Sequence, residues 1–243
     1  MTDTTDQLFR DPLRAPGPFR FDAEVVRVFP DMIRRSVPGY ETVIAMTGLI
    51  GARHAIADSK LYDLGCSLGA STLSLCRHID AQGARIVGVD SSAAMIERCR
   101  DVLTAAGEAD RVELRQQDIL DTPVEAASVV VLNYTLQFID PAKRAALLRR
   151  IADGLLPGGV LILSEKVLLP DATLNALNIE LHHDFKRAHG YSDLEIAAKR
   201  DSLETVLIPE TIAAHRERLL AAGFASCDVW FQCFNFASLV ALR

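Results

Sequence analysis

No stretch of the sequence strings together the roughly 20 apolar residues that a helix needs to cross a bilayer. The polar opening MTDTTDQLFRD does not read as a signal peptide, so the expectation is a soluble, cytoplasmic chain with no membrane contact. Positive charge is not in excess either: 26 Lys and Arg stand against 32 Asp and Glu, a net charge of −6. Binding a nucleic acid through bulk charge needs a basic face, and no direct nucleic-acid binding is expected. Cysteine is sparse and poorly spaced for structure. The five residues at 66, 76, 99, 227 and 233 make an odd count with no C-x-x-C, which argues against a disulfide framework and a zinc site. The six histidines contain no H-E-x-x-H, and only His182 and His183 are adjacent. No metal is therefore expected. Internal repeats, low-complexity tracts and long linkers are missing as well.

What remains is a chain of 243 residues, 49% hydrophobic and 24% charged, enough for a sizeable core in one α/β domain spanning 1–243. Residues 1–57 read as an N-terminal arm followed by helices. The first 20 carry three prolines and mixed charge. Asp22 is a candidate N-cap for a helix with Val25, Val26, Phe29, Met32 and Ile33 at helical spacing. Ser36-Val37-Pro38-Gly39 breaks it, and Tyr40 opens a second helix running towards Ala57. From Lys60 the rhythm changes. Strands at Lys60–Leu64, Arg85–Val89, Val112–Arg115, Ser128–Leu132 and Val160–Ser164 alternate with helices, one of which starts on Pro141. Leu155-Leu156-Pro157-Gly158-Gly159 reads as a turn. Such alternation means βαβ units and a mostly parallel sheet covered on both faces. A helical insertion over 167–222 follows (about Asp171–Ala188, Ser192–Thr205 and Pro209–Ala222). Two strand-like runs, Cys227–Phe231 and Phe236–Leu242, then form an antiparallel edge hairpin. The expected fold is a doubly wound, Rossmann-like sheet of seven strands.

Gly65-x-Ser67-x-Gly69 lies between the first strand and its helix. It reads either as a G-x-S-x-G nucleophile elbow or as a ligand turn that brings backbone close to a small molecule. A bare tight turn is the bland alternative. No H-G-G oxyanion motif precedes it, and the next strand ends on Asp90, where a carboxylate accepts hydrogen bonds from ribose hydroxyls. Together these favour a nucleoside ligand. Ser67 stands where a dinucleotide fingerprint places its second glycine, so a ligand without a pyrophosphate suits the loop better. Asp118, beside apolar Ile119 after the third strand, suits an adenine amine. Asn133 follows the fourth strand at the same edge.

The segments Y-D-L-G-C-S-L-G-A (62–70), D-S-S-A-A-M-I-E-R-C (90–99) and L-L-P-G-G (155–159) resemble the class I S-adenosylmethionine-dependent methyltransferase fold. Further peptides narrow the resemblance: F-P-D-M-I-R-R-S-V-P-G-Y (29–40), N-Y-T-L-Q-F (133–138), H-H-D-F-K-R-A-H-G-Y-S (182–192) and W-F-Q-C-F-N-F (230–236). They are similar to the carboxy-S-adenosyl-L-methionine synthase family, from near the start of the chain to its end. The resemblance implies a homodimeric enzyme that converts S-adenosyl-L-methionine and prephenate to carboxy-S-adenosyl-L-methionine and phenylpyruvate. The product would feed a tRNA carboxymethyltransferase that makes 5-oxyacetyl wobble uridine. Carried over by motif, the cofactor contacts fall on Tyr40, Gly65, Cys66, Ser67, Asp90, Ser91, Asp118, Ile119 and Asn133. Arg200, in A-A-K-R-D-S-L-E, matches the family's carboxylate-binding arginine, which reaches the ligand in the dimer, and is the one candidate catalytic residue. Ser91 replaces a familiar Asn and Tyr134 a Phe, both mild departures.

Read from the residues alone, Lys186 and Arg187 are solvated helix charges and the His182-His183 pair is helix packing, since neighbours on a helix point in different directions. Trp230, Phe231, Phe234 and Phe236 read as sheet and dimer core. A conventional small-molecule or RNA methyltransferase, and a non-catalytic S-adenosylmethionine-binding protein, share the same cofactor site and stay open.

Overall fold

The computed structural model describes residues 5–10 and 19–243. Of the expected arm, residues 1–4 and 11–18 lie outside the described residues. Asp22 caps helix α1 (Ala23–Ser36), its Oδ1 accepting from the backbone N–H groups of Glu24 and Val25 at 3.0 and 3.1 Å. That satisfies two of the donors a helix start leaves open. Pro30 sits inside α1 without ending it, and the helix stops at Val37. Gly39, at φ +77°, turns the chain into α2 (Tyr40–His54). A Cβ there would lie 2.3 Å from the Phe231 ring, so this glycine is required twice, by its backbone angle and by its neighbour.

The alternating region builds β1 (Lys60–Leu64), α3 (Ala70–His78), β2 (Arg85–Asp90), α4 (Ala93–Ala105) and β3 (Val112–Gln116). It continues through β4 (Ala127–Asn133), α5 (Pro141–Gly154) and β5 (Leu155–Leu168). Then come α6 (Ala172–Ala188), α7 (Asp193–Leu203), β6 (Glu210–Thr211), α8 (Ile212–Ala222), β7 (Ser226–Cys233) and β8 (Phe236–Leu242). The main path of the sheet runs β3-β2-β1-β4-β5-β8-β7. The first five are parallel, and β8 is antiparallel to both β5 and β7. This is the expected doubly wound sheet with its edge hairpin, β8 inside and β7 at the rim. Chain order reverses between β1 and β4, and it is outside the carboxyl ends of such a pair that open α/β sheets take their ligands.

Period-two alternation sets the two cores. Leu61, Ile86, Val129, Val131, Val160 and Ile162 pack against Leu75 and Cys76 of α3 and Ile79 just after it. The opposite face, with Tyr62, Val87, Val130 and Leu161, packs against Leu147, Leu148 and Ile151 of α5 and Leu219 and Ala222 of α8. Each such side chain, fully buried, is worth about 1.5–3 kcal/mol.

Three details differ from the sequence reading. Leu155–Gly159 is the start of β5, not a turn: Ala127 pairs with Leu155, and the register shifts before Val129 meets Val160. Between these two pairs the chain carries Pro157 and a left-handed Gly158 at φ +81°, a bulge that regains the ladder at Val160. Of the helical stretch, α8 belongs to the sheet layer and only α6 and α7 lie outside it. Two-residue β6 pairs in parallel with Val167 and Leu168. It is held by Arg144, fully buried, whose guanidinium meets the Glu210 carboxylate and donates to the carbonyls of Ile139 and Ile208, both at 2.9 Å. One arginine among the several basic residues of α5 gives no sequence signal of such burial.

Candidate active site

At the β1–α3 turn the chain adopts φ +84° at Gly65, +52° at Ser67 and +83° at Gly69. A Cβ on Gly65 would come within 2.3 Å of Thr135 Oγ1. The turn is clamped from β2. Asp90 Oδ2 accepts the Ser67 N–H at 3.0 Å and Oδ1 accepts the Ser92 N–H at 2.9 Å. Burial raises the Asp90 pKa, and these two backbone bonds oppose the rise. Ser92 in turn caps α4, accepting the Met95 N–H at 3.3 Å, and donates to the Phe21 carbonyl at 2.7 Å. One carboxylate thus ties the turn, the next helix start and the N-terminal segment together. Beneath them Asp63, fully buried, accepts from Thr72 Oγ1 at 2.6 Å; burial pushes its pKa up to about 6.

This turn opens on a cavity of about 750 Å³, within the ~300–1,000 Å³ range of small-molecule sites. Tyr40, Gly65, Cys66, Ser67, Asp90 and Ser91 line it, and so do Asp118, Ile119 and Asn133. The structure therefore brings together every cofactor-binding residue expected from the sequence except Arg200. Asp118 uses Oδ1 to accept the Leu120 N–H at 2.8 Å. The Asn133 amide donates to Thr47 Oγ1 and Ser71 Oγ at 3.1 and 2.9 Å and accepts from Ser164 Oγ at 2.6 Å. That side chain is spent on fixing β4 against α2, α3 and β5, so it shapes the wall. Tyr40 lies 6.0 Å from the Tyr134 ring, and burial raises the pKa of both phenols. They stay neutral.

Arg200 does not reach the cavity of a single chain. Its side chain is 63% exposed on α7 and pairs with Asp201 at 3.1 Å. Its neighbour Lys199 is the one that points inward.

The opposite wall was not legible in the sequence. Lys166 of β5, His182 and Lys186 of α6, Lys199 of α7 and Arg34 of α1 line it. Two of them bind the last turn of α1. His182 Nε2 donates to the Ser36 carbonyl at 2.8 Å, and Lys199 Nζ donates to Ser36 Oγ at 2.8 Å while facing Asp6 at 3.7 Å. The reading of Lys186 as a solvated charge is overturned, because the residue is only 7% exposed. Arg187 does remain at the surface, bound to Asp184 and Asp193 at 2.7 Å each. His182 packs on Phe236 at 5.0 Å and also lines the cavity. Burial and Lys186 push its pKa down to about 2, so it stays a neutral donor and is no general base. Phe236, expected in the sheet and dimer core, meets the cavity as well. Among the described residues no cluster of three His, Cys, Asp or Glu is placed to hold a metal, and no helix is long and apolar enough to cross a membrane.

Residues 61–159 match a family model described as a methyltransferase domain. The carboxy-S-adenosyl-L-methionine synthase of Aliivibrio salmonicida (strain LFI1238) is 52% identical over 238 residues, covering 98% of this chain and 98% of that protein. The chain belongs to the carboxy-S-adenosyl-L-methionine synthase family. A second member, from Trichlorobacter lovleyi, is 56% identical over 244 residues and matches along the whole length of both chains. The fold extends further. An O-methyltransferase family protein from Burkholderia thailandensis superposes with a TM-score of 0.63 at 20% identity, over 92% of this chain and 60% of that one. The synthase family is built on the S-adenosylmethionine-dependent methyltransferase fold, and this chain is an S-adenosylmethionine-dependent enzyme.

Proposed function

We propose that this enzyme converts S-adenosyl-L-methionine and prephenate into carboxy-S-adenosyl-L-methionine, phenylpyruvate and water. The observation that carries the reading is the polarity of one cavity. Asp90 stands at the end of β2 and Asp118 just after β3, while Lys166 of β5 lines the same cavity together with Lys186 of α6 and Lys199 of α7. From β2 to β5 is three strand spacings, about 14 Å, the span of a nucleoside with a second, anionic molecule beside it. A methyl acceptor has no general need for a wall of lysines; a dicarboxylate does.

The chemistry asks the protein for placement more than for acids and bases. A sulfonium methyl is acidified by the adjacent positive sulfur. When prephenate aromatises, its ring carboxylate leaves as CO2 and its ring hydroxyl leaves as hydroxide, giving phenylpyruvate. The hydroxide takes a methyl proton and becomes water. The ylide carbon then bonds to CO2 before it diffuses away. Atoms and charge balance with no further reagent. The enzyme supplies proximity, a site shielded from water, and cations for the carboxylates. The neutral phenols of Tyr40 and Tyr134 and the neutral imidazole of His182 fit that role, since none competes for the methyl proton.

A homodimer would bring Arg200 into use. It is exposed on the outer side of α7, and Leu174, Leu177 and Leu194, each half exposed on α6 and α7, offer an apolar surface for a second copy. The Arg200 guanidinium of one protomer would then hold the new carboxylate in its partner, a contact its fork geometry suits. The product would serve a tRNA carboxymethyltransferase as donor for 5-oxyacetyl wobble uridine.

The test is to incubate the purified protein with both substrates and follow the small molecules by mass spectrometry. Expected are phenylpyruvate and a species heavier than S-adenosylmethionine by one CO2, without S-adenosylhomocysteine. Accumulation of S-adenosylhomocysteine with a supplied acceptor would return the enzyme to methyl transfer. Binding without turnover would make it a carrier of the cofactor.

A further inference from the structure

Lys186 is the unusual cation of the lysine wall. It is only 7% exposed, it lines the cavity, and no carboxylate or hydrogen-bond acceptor meets its ammonium group among the described residues. Lys199, by contrast, has Ser36 Oγ at 2.8 Å and Asp6 at 3.7 Å. A buried ammonium without a partner is destabilising. It persists where something else supplies the anion, and the open side of this one faces the cavity. Lys166, on the neighbouring β5, lines the same wall and likewise has no anionic partner among the described residues.

We infer that Lys186, seconded by Lys166, anchors one carboxylate of the second substrate at the end of the cavity away from Asp90 and Asp118, a subsite separate from the contact expected of Arg200. The assignment rests on the proposed prephenate chemistry for the identity of the anion. Prephenate has two carboxylates, and only the one on the ring is lost. The side-chain carboxylate is still present in phenylpyruvate, so it needs a fixed, unreactive partner, and an ammonium in a dry wall supplies one.

The groups facing Lys186 set its titration. They are Lys166 from β5, His182 and His183 from α6 and Lys199 from α7, and Lys199 is itself flanked by Asp6 from the N-terminal segment and by Asp31 and Arg35 from α1. Burial, then Lys199 and Lys166, push its pKa down to about 7, while Lys199 lies at about 8 and Lys166 is lowered as well. An incoming carboxylate needs the protonated form. Prephenate binding should therefore weaken as pH rises above about 7.

Lys186→Met, Lys186→Arg and the parent enzyme would be compared in three measurements. These are affinity for S-adenosylhomocysteine, binding of prephenate to the loaded protein by calorimetry, and KM and kcat for prephenate across pH. The methionine variant should bind S-adenosylhomocysteine within twofold of the parent and lose about 10–100-fold in prephenate affinity and KM, the usual worth of a hydrogen bond to a charged group. The arginine variant should recover binding and lack the decline that begins near pH 7, because its guanidinium stays charged. Unchanged prephenate affinity in the methionine variant, in an enzyme that makes carboxylated product, would overturn the anchor and leave the proposed reaction standing. If the parent binds prephenate but makes no product, the reaction falls and the anchor is judged on binding alone. If the parent does not bind prephenate, both fall.

Discussion

The two ends of the cavity are built in opposite ways. The end around Gly65, Ser67, Asp90 and Asp118 comes from one continuous run of β-α-β units, with each residue placed at a strand terminus by its own element. The end around Arg34, Lys166, His182, Lys186 and Lys199 is assembled from four elements far apart in sequence. The first end uses backbone amides and carboxylates in short, satisfied contacts. The second gathers like charges, with Asp6 facing Lys199 and, among the described residues, no carboxylate opposite Lys186. A nucleoside can be held by local structure, whereas the anionic substrate's place exists only once α1, α6 and α7 have folded over β5.

Breaking the first end should have the largest effect. Asp90→Ala removes a cavity-lining carboxylate that fixes the turn and the start of α4. If Asp90 also takes the two ribose hydroxyls, losing two hydrogen bonds to a charged group predicts at least about a hundredfold loss of S-adenosylmethionine affinity, measured by calorimetry. Gly65→Ala places a Cβ 2.3 Å from Thr135 Oγ1 on a backbone at φ +84°. The left-handed conformation alone costs about 1–2 kcal/mol, and with the clash the melting temperature should fall by about 5 °C or more. Arg200→Ala should leave the melting temperature and S-adenosylmethionine affinity unchanged, since the side chain is exposed. It should weaken retention of the carboxylated product about tenfold or more, read by the mass of the co-purified ligand.

The smallest effect is the most telling about the second end. Lys186→Met removes an unpaired buried cation, so without ligand the variant should melt a few degrees above the parent. The sign follows from the depressed pKa. Between about 7 in the folded chain and about 10.4 in the unfolded chain, the unfolded state holds a proton the folded state lacks. Parent stability therefore rises with pH across that window. The variant's advantage should be greatest below about pH 7 and close towards pH 10. Thermal melts across that range, showing no such convergence, would mean Lys186 is already paired.

The contrast also explains what could be read before the fold was known. Asp22, Ser92 and Pro141 announce helix starts through local chemistry, and β1 to β5 announce themselves by alternation with helices. The cofactor end was legible because Gly65 and Asp90 are conspicuous at strand ends. Lys186 was not. On a helix, a lysine followed by an arginine looks the same whether it faces water or a cavity, and only the packing of α6 against α1, α7 and Phe236 of β8 decides. Arg144 was hidden for the same reason. The register shift that keeps Leu155–Gly159 in β5 likewise depends on Ala127 across the sheet. Arg200 is a separate matter: one chain leaves it at the surface, and its assignment came from family resemblance.

The central claim, that the lysine end delivers a carboxyl group to a methyl held at the nucleoside end, has one direct test. Prephenate labelled with ¹³C in its ring carboxylate would be turned over in unlabelled bicarbonate, and the carboxy-S-adenosyl-L-methionine analysed by mass spectrometry. The account predicts a product carrying the label, with phenylpyruvate formed in equal amount. An unlabelled carboxyl group, or S-adenosylhomocysteine in place of the carboxylated product, would contradict it.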